Sequence, residues 1–240
     1  MTIMLAAFAV SICFSQSNYV QMEAITISVK PDKVELFKKG IAAHNKKYHS
    51  ADPYKASVRM NVTGPNTGSY IWVMGPTTWT QMDGRPGKGE HDMDWDKNVA
   101  IHCESISPPS YWRWVDGVSN DPAPGKNTKY SRASFSEVYP GQMGRFTELM
   151  KRIAATDKKA NSTTTFSMAT RQDWARGNNA ITFDGFDKWA QLEDDPNYVK
   201  AYEELYGQGS WRRFLEEIDM CLDRSKTYES ISELLPELGG

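Results

Sequence analysis

Cysteine, charge of one sign and long hydrophobic runs are all scarce in this sequence. The 240 residues include only three cysteines, too few for a disulfide framework, and we expect Cys103 and Cys221 to be buried free thiols, with a single disulfide as the alternative. The 28 Lys and Arg nearly balance the 30 Asp and Glu, and the net charge of −2 argues against a nucleic-acid partner. Beyond the N-terminus no apolar run is long enough to cross a bilayer, so we expect no integral membrane segment in the mature chain.

Familiar catalytic signatures are also missing from the sequence. It contains no pattern typical of a Ser-His-Asp array, of a phosphate-binding glycine loop or of a Cys-x-x-Cys site. Aromatic residues, in contrast, are abundant, with eight Trp, eleven Tyr and nine Phe. Such a content suits large apolar pockets, and it equally suits ordinary core packing.

The N-terminus reads as an export signal. Residues 3–14 form an uncharged apolar run that ends in small and polar residues, which is the length of a signal-peptide core and too short for a membrane span. Cys13 and Ser15 would supply the small residues at the cleavage positions. We therefore predict a signal peptide over residues 1–16 and an exported protein, periplasmic or secreted; a lipid anchor on Cys13 and an apolar first strand are the alternatives.

The chain repeats itself at a spacing of about 110 residues. Residues 29–38 resemble residues 138–147, and residues 75–83 resemble residues 185–193. Paired aromatic positions continue the repeat further along, namely Trp95 with Trp211 and Tyr111 with Tyr228. A Pro- and Gly-rich stretch over residues 120–128 separates the copies and reads as a linker. We predict a first repeat over residues 17–119 and a second repeat with a C-terminal tail over residues 129–240.

Each copy shows the same order of predicted elements. In the first copy, residues 23–29 alternate apolar and polar like a half-buried strand, and Pro31 then opens a helix. Two strands over 57–63 and 69–74 follow, then helical segments over 75–83 and 92–105, and a closing strand over 111–115. This βαββαβ order predicts an α+β fold made of two ferredoxin-like repeats whose antiparallel sheets cover each other as a pseudo-dimer.

With this duplicated order and the Gly-x-x-x-Trp pattern at Gly75/Trp79 and Gly185/Trp189, the chain resembles the dimeric α/β-barrel superfamily in a tandem, single-chain form. It is similar to the stress-responsive A/B barrel proteins, the antibiotic-biosynthesis monooxygenases, the EthD and NIPSNAP groups and the chlorite dismutase-like haem proteins. The resemblance implies a small ligand held between sheet and helices or inside the barrel, although a fold does not by itself fix a function.

All four histidines lie in the first copy, which directs the search for chemistry there. His44 is the leading catalytic candidate, because the helix periodicity aims it at the sheet while the matching residue of the second copy is Ile153. A core histidine bonded to a neighbour is the ordinary alternative. The candidate ligand pocket adds six residues to His44: Tyr48, Asn61, Trp72, His102, Trp112 and Trp114.

The segment around residue 92 concentrates acidic groups. His91, Asp92, Asp94 and Asp96 form a weak candidate metal cluster with the alternate spacing of calcium-loop ligands, but Lys97 stands where such a loop needs glycine. Helix capping explains acidic residues there equally well, so the sequence predicts no metal site.

Three classes of function stay open at this level. The first is an exported protein that binds a small apolar or aromatic molecule, with no cofactor predicted and a homo-oligomer as one arrangement. The second is an enzyme on the same scaffold, either a cofactor-independent monooxygenase or a haem-dependent oxidoreductase with His44 or His102 as axial ligand. The third is a non-catalytic structural or interaction module with a filled barrel.

Overall fold

A computed structural model describes residues 20–122, 127–173, 177–193 and 197–240 of the chain. The predicted signal peptide, residues 123–126 of the predicted linker and Cys13 lie outside these residues. Within them, no helix is long and apolar enough to cross a membrane. Cys103 and Cys221 are both buried free thiols.

The chain forms nine strands and six helices within the described ranges, in a mixed α+β order. The strands are β1 (Gln21–Val29), β2 (Ala56–Asn61), β3 (Tyr70–Thr77), β4 (Cys103–Ile106), β5 (Ser110–Asn120), β6 (Tyr130–Ser136), β7 (Thr165–Arg171), β8 (Ala180–Phe186) and β9 (Tyr228–Leu234). The helices are α1 (Val34–Tyr48), α2 (Trp79–Met82), α3 (Glu90–Asn98), α4 (Met143–Ala160), α5 (Tyr198–Tyr206) and α6 (Ser210–Cys221).

Eight antiparallel strands close into a barrel. Their order around it is β3-β2-β9-β6-β8-β7-β5-β1, and pairing of β1 with β3 closes the ring. The ninth strand, β4, pairs with the C-terminal end of β1, on the same edge along which β5 pairs with the N-terminal end of β1. The strands before and after residue 122 meet at two seams, β2 with β9 and β5 with β7. Neither half of the chain can close this ring alone.

The alternation in β1 separates two environments. Met22, Ala24 and Thr26 point into the barrel, whereas Ile27 is fully buried among residues of the outer helix layer. One core therefore lies inside the barrel, and two more lie between the sheet and the helices, one in each half of the chain. The apolar stripe of α1 contributes Phe37 and Ile41 to the first of these outer cores.

Several predicted element boundaries were wrong. The helix predicted over 92–105 ends at Asn98, and a short 3-10 turn leads from it into β4, because residues 103–106 pair with β1. In the second copy the repeated pattern predicts helices over 186–193 and 196–222, and the first of these is the end of β8 and a 3-10 turn over residues 189–192. The second of these is broken into α5 and α6 at Gly207 and Gly209, which both take positive φ.

The C-terminal tail packs over α1 and β2. Its Leu238 is buried, and the Leu238 carbonyl accepts a hydrogen bond from Asn45 Nδ2 at 2.7 Å. The other end of the Asn45 amide accepts from Trp72 Nε1 at 2.9 Å. The tail thereby closes the helix layer of its own chain, beside the candidate site.

Candidate functional site

Three of the four histidines meet between the first helix layer and the sheet. His44 lies on α1, His49 directly follows its last turn, and His91 lies in the first turn of α3. The approach of α3 to α1 depends on Gly40, since a Cβ atom there would collide with the backbone carbonyl of Asn98. A glycine on α1 thus brings the two helices close enough for their histidines to touch.

The ring nitrogens of the three histidines converge. His49 Nε2 lies 3.1 Å from His91 Nε2, and one nitrogen from each of the three rings falls within 4.8 Å of the others. His44 and His49 are each only 1% exposed. We call His44, His49 and His91 the histidine triad.

The Nδ1 atom of each triad ring faces an oxygen acceptor. His44 Nδ1 lies 2.7 Å from Asp94 Oδ2, and His91 Nδ1 lies 2.8 Å from Asp92 Oδ1. His49 Nδ1 lies 3.0 Å from the backbone carbonyl of Tyr54. These contacts fix the ring orientations, and they leave the Nε2 atoms of His49 and His91 facing each other.

Burial keeps two of the triad rings neutral. It lowers the pKa of His44, an effect that the hydrogen bond to Asp94 partly opposes. It lowers the pKa of His49 to about 4. The pKa of Asp94 is held below its usual value by hydrogen bonds from His44 and Asn98, against the effect of its own burial. Near neutral pH the site thus holds two neutral imidazoles, those of His44 and His49, beside the ionised Asp94.

A cavity of about 230 Å³ borders the histidine triad. Besides the three imidazoles its wall includes Trp72, Trp95, Glu23 and Arg85. Glu23 is 2% exposed; one carboxylate oxygen accepts from Arg85 at 2.8 Å, and Oε2 has no hydrogen-bond partner among the described residues. Burial raises the pKa of Glu23, with Arg85 opposing. The cavity wall therefore combines imidazole nitrogens, a buried carboxylate and aromatic side chains.

A second, larger cavity of about 720 Å³ occupies the interior of the barrel. Trp112, Trp114, Phe135 and Phe183 line it together with small residues such as Ala133. Trp114 packs on Phe183 with ring centroids 5.3 Å apart. We call this cavity the barrel chamber; no histidine lines it in the described part of the chain.

The predicted pocket residues divide between these places. His44 and Trp72 line the triad cavity, with Tyr48 beside the His44 and His91 rings, whereas Trp112 and Trp114 lie in the barrel chamber. The other two lie in neither lining: Asn61 is buried at the end of β2 and bonds Ser69 Oγ, and His102 lies on the 3-10 turn before β4.

The acidic cluster has a different role from a calcium loop. Asp92 and Asp94 orient His91 and His44, while Asp96 is exposed on α3. Among the described residues, the grouping able to supply three metal-ligand atoms contains the three histidines and none of these carboxylates. His91 is the member of the predicted cluster that belongs to it.

Sequence reasoning missed His49, Glu23 and Arg85. His49 follows the end of a helix, where a histidine complements the helix dipole, and Glu23 occupies a polar position of an alternating strand. The available signal was the confinement of all four histidines to one half of the chain, together with the five-residue step from His44 to His49 around the end of α1.

The second half fills the corresponding layer with apolar and aromatic side chains. Ile153, predicted to match His44, packs against the second outer core, where Trp211 stacks on Phe214 and meets Tyr202 edge-on. Tyr202 is fully buried. The polar histidine triad is thus a feature of the first half of the chain among the described residues.

Solved structures show the same fold. A candidate monooxygenase of Fusobacterium nucleatum aligns over 90% of this chain and 93% of its own, with a TM-score of 0.59 and 13% identity. An anthrone oxidase-like protein aligns over 92% of both chains, with a TM-score of 0.52 and 11% identity. A mutant chlorite dismutase from Candidatus Nitrospira defluvii aligns over 93% of this chain and 94% of its own, with a TM-score of 0.53 and 8% identity.

These similarities establish the dimeric α/β-barrel fold for this chain, as its sequence pattern predicts. No protein-family model matches the chain, and no curated protein matches it in sequence. At these levels of identity the solved structures bear on the fold alone.

Proposed function

We propose that the chain binds a small apolar or aromatic molecule in the barrel chamber. The observation that carries the proposal is the size and lining of this chamber, about 720 Å³ inside a closed eight-stranded barrel. Barrels of eight strands are either filled by side chains or hold one small ligand, and pockets for such ligands span roughly 300–1,000 Å³. Trp112, Trp114, Phe135 and Phe183 supply the flat apolar contacts that an aromatic ligand requires.

Binding of 2-naphthol, measured by isothermal titration calorimetry, tests this proposal. Ala133 is buried on the chamber side of β6, and Ser134 is the next residue on the opposite face. We expect Ala133→Phe to fill part of the chamber and to weaken binding at least tenfold, while Ser134→Phe binds like the wild type. Absence of binding to the wild type, or equal binding by both variants, would refute a ligand in the chamber.

The second candidate function is an oxygenase on the same scaffold. Its support is that structures of similar fold include candidate monooxygenases and an anthrone oxidase-like protein, whose name points to a polycyclic aromatic substrate for that protein. Turnover of an anthrone with consumption of dioxygen is the measurement. Binding of the anthrone without turnover would be compatible with ligand binding in the barrel chamber and would reject the oxygenase function.

The described residues do not fit haem as the side chains stand. The cavity beside the histidine triad has about 230 Å³, below the range of pockets for drug-sized ligands, and no histidine lines the larger barrel chamber within the described ranges. His102 lies in neither lining. Haem stays an alternative because structures of similar fold include a chlorite dismutase. An absorption spectrum of the protein with added haem tests it, and a Soret band that is lost in His44→Ala would favour haem binding.

We further propose that the two halves are tandem ferredoxin-like repeats and that residues 1–16 direct export. Supporting the repeat, the strand pairings correspond between the halves: β1 pairs with β3 and β5 in the first half, and β6 pairs with β8 and β9 in the second. Supporting export is the apolar N-terminal run. The intact mass of protein recovered from an exporting host is expected to match a chain that starts near residue 17; a mass that includes Met1 would reject cleavage.

A further inference from the structure

We propose that the histidine triad binds one divalent transition-metal ion through three Nε2 atoms, with a further coordination position open toward the adjacent cavity. This site is separate from the barrel chamber, and the proposal does not depend on a ligand being bound there. His44, His49 and His91 are the protein ligands, and zinc is the ion that the site suits best.

The hydrogen-bond partners of the Nδ1 atoms determine where the protons of the neutral rings lie. A backbone carbonyl only accepts hydrogen bonds, so the contact with Tyr54 places the proton of neutral His49 on Nδ1 and leaves a lone pair on Nε2. The Asp92 carboxylate imposes the same tautomer on His91. When both rings are neutral, two lone pairs face each other across 3.1 Å, and a proton or a metal ion between the two nitrogens relieves their repulsion.

One buried nitrogen of the triad has no hydrogen-bond partner in the described structure. Asp94 occupies His44 Nδ1, and His44 Nε2 is buried with no hydrogen-bond partner in the described structure. A buried imidazole nitrogen without a partner costs roughly 1–3 kcal/mol. A metal ion satisfies this atom and removes the repulsion between the other two rings, so one ligand resolves both anomalies.

The distances suit a small ion. Zinc–imidazole bonds of about 2.0–2.1 Å place neighbouring nitrogens of a tetrahedral site about 3.3 Å apart. The 3.1 Å pair is already near this separation, and the three nitrogens span at most 4.8 Å. A modest movement of one ring completes the coordination.

The surroundings resemble those that proteins build around metal-bound histidines. Ligating imidazoles usually donate their other nitrogen to a carboxylate or a backbone carbonyl, and all three rings of the triad do so. Neutral nitrogen ligands select zinc, copper or nickel over calcium and magnesium, which prefer oxygen. Three protein ligands leave a position for water or substrate, and Glu23 lies in the wall of the cavity that this position faces.

Zinc binding to the full chain, stripped with a chelator and then titrated calorimetrically with Zn²⁺ alone, tests the proposal. We expect one ion per chain. His91→Gln should weaken zinc binding by at least about 100-fold, because it removes one of the three ligands, and His91 is the least buried of them. Asp94→Asn, which alters the hydrogen-bond partner of His44, should weaken zinc binding by about 10–100-fold. His102→Gln is the matched control, a histidine of the same half outside the triad, and should bind like the wild type.

Circular dichroism confirms that each variant is folded before titration. If His91→Gln does not fold, Asp94→Asn carries the test, since asparagine keeps the volume of the side chain and can still accept from His44. No zinc binding by the wild type, or unchanged binding by both folded variants, would overturn the site. Loss of binding in His102→Gln but not in His91→Gln would place the ion elsewhere and equally reject the triad.

Discussion

Asp157 is a buried carboxylate whose ionisation opposes folding. It is 7% exposed on α4, and burial raises its pKa to about 6, although a hydrogen bond from Tyr198 opposes the shift. Because the folded pKa lies above the unfolded value of 3.8, the favourable contribution of the protonated acid is complete below about pH 4 and is lost as the pH rises through 6.

Replacement of this carboxyl group should therefore stabilise the protein in a pH-dependent manner. We expect Asp157→Asn, which can still accept from Tyr198, to raise the free energy of unfolding by up to about 3 kcal/mol at pH 8, from about two pH units of difference in pKa. At pH 4 the gain should vanish. Urea denaturation at both pH values measures it, and an equal gain at the two values would contradict a role for ionisation.

At the scale of single residues, the sequence predicts which residue belongs to the site better than it predicts which residues that residue contacts. His44 was selected because it interrupts an apolar stripe, and the helix periodicity needed for that is local. Its association with His91 depends on how α3 folds back over α1, across about 47 residues of intervening chain. Such a contact is set by tertiary packing, which no spacing within α1 encodes.

At the scale of elements, the contact between α1 and α3 depends on Gly40. A Cβ atom there would overlap the carbonyl of Asn98, so Gly40→Ala must push α3 away from α1. We expect a loss of stability of about 1–3 kcal/mol and weaker zinc binding, because His91 moves with α3. Thermal unfolding and zinc titration provide the two readouts.

Gly144 on α4 is the matched control for this experiment. A Cβ atom added at Gly144 would meet no other atom within 4 Å among the described residues, so Gly144→Ala should keep zinc binding and gain up to about 1 kcal/mol from the helix preference of alanine. If Gly40→Ala behaves like Gly144→Ala, the close approach of the helices does not determine the site.

Element types follow from the sequence where their periodicity is strong. The alternation of β1 and the stripe of α1 predict both elements within a few residues. Residues 99–106 show no such periodicity, and residues 103–106 form a strand because they pair with β1. Pairing to a distant strand decides that segment, and local propensity does not.

At the scale of the whole molecule, the barrel makes the two halves one unit. The seams between β2 and β9 and between β5 and β7 join strands far apart in sequence, and the chamber is lined from both halves. The repeat in the sequence predicts two sheets that cover each other, yet the closure and its register depend on hydrogen bonds between the halves, which the repeat does not specify.

A closed ring of this kind should unfold in one step. We expect urea unfolding followed by far-ultraviolet circular dichroism and by tryptophan fluorescence to give coincident transitions, since opening either seam exposes the shared interior. Five of the eight tryptophans lie before residue 122, so fluorescence weights the first half. Two separated transitions would show that the halves fold independently.

The most direct test of the metal site is the zinc K-edge X-ray absorption spectrum of the zinc-loaded protein. We predict three imidazole nitrogens at about 2.0–2.1 Å and one further light atom, with one imidazole lost in His91→Gln. A spectrum that shows fewer than three imidazoles in the wild type, or that is unchanged in His91→Gln, would contradict coordination by His44, His49 and His91.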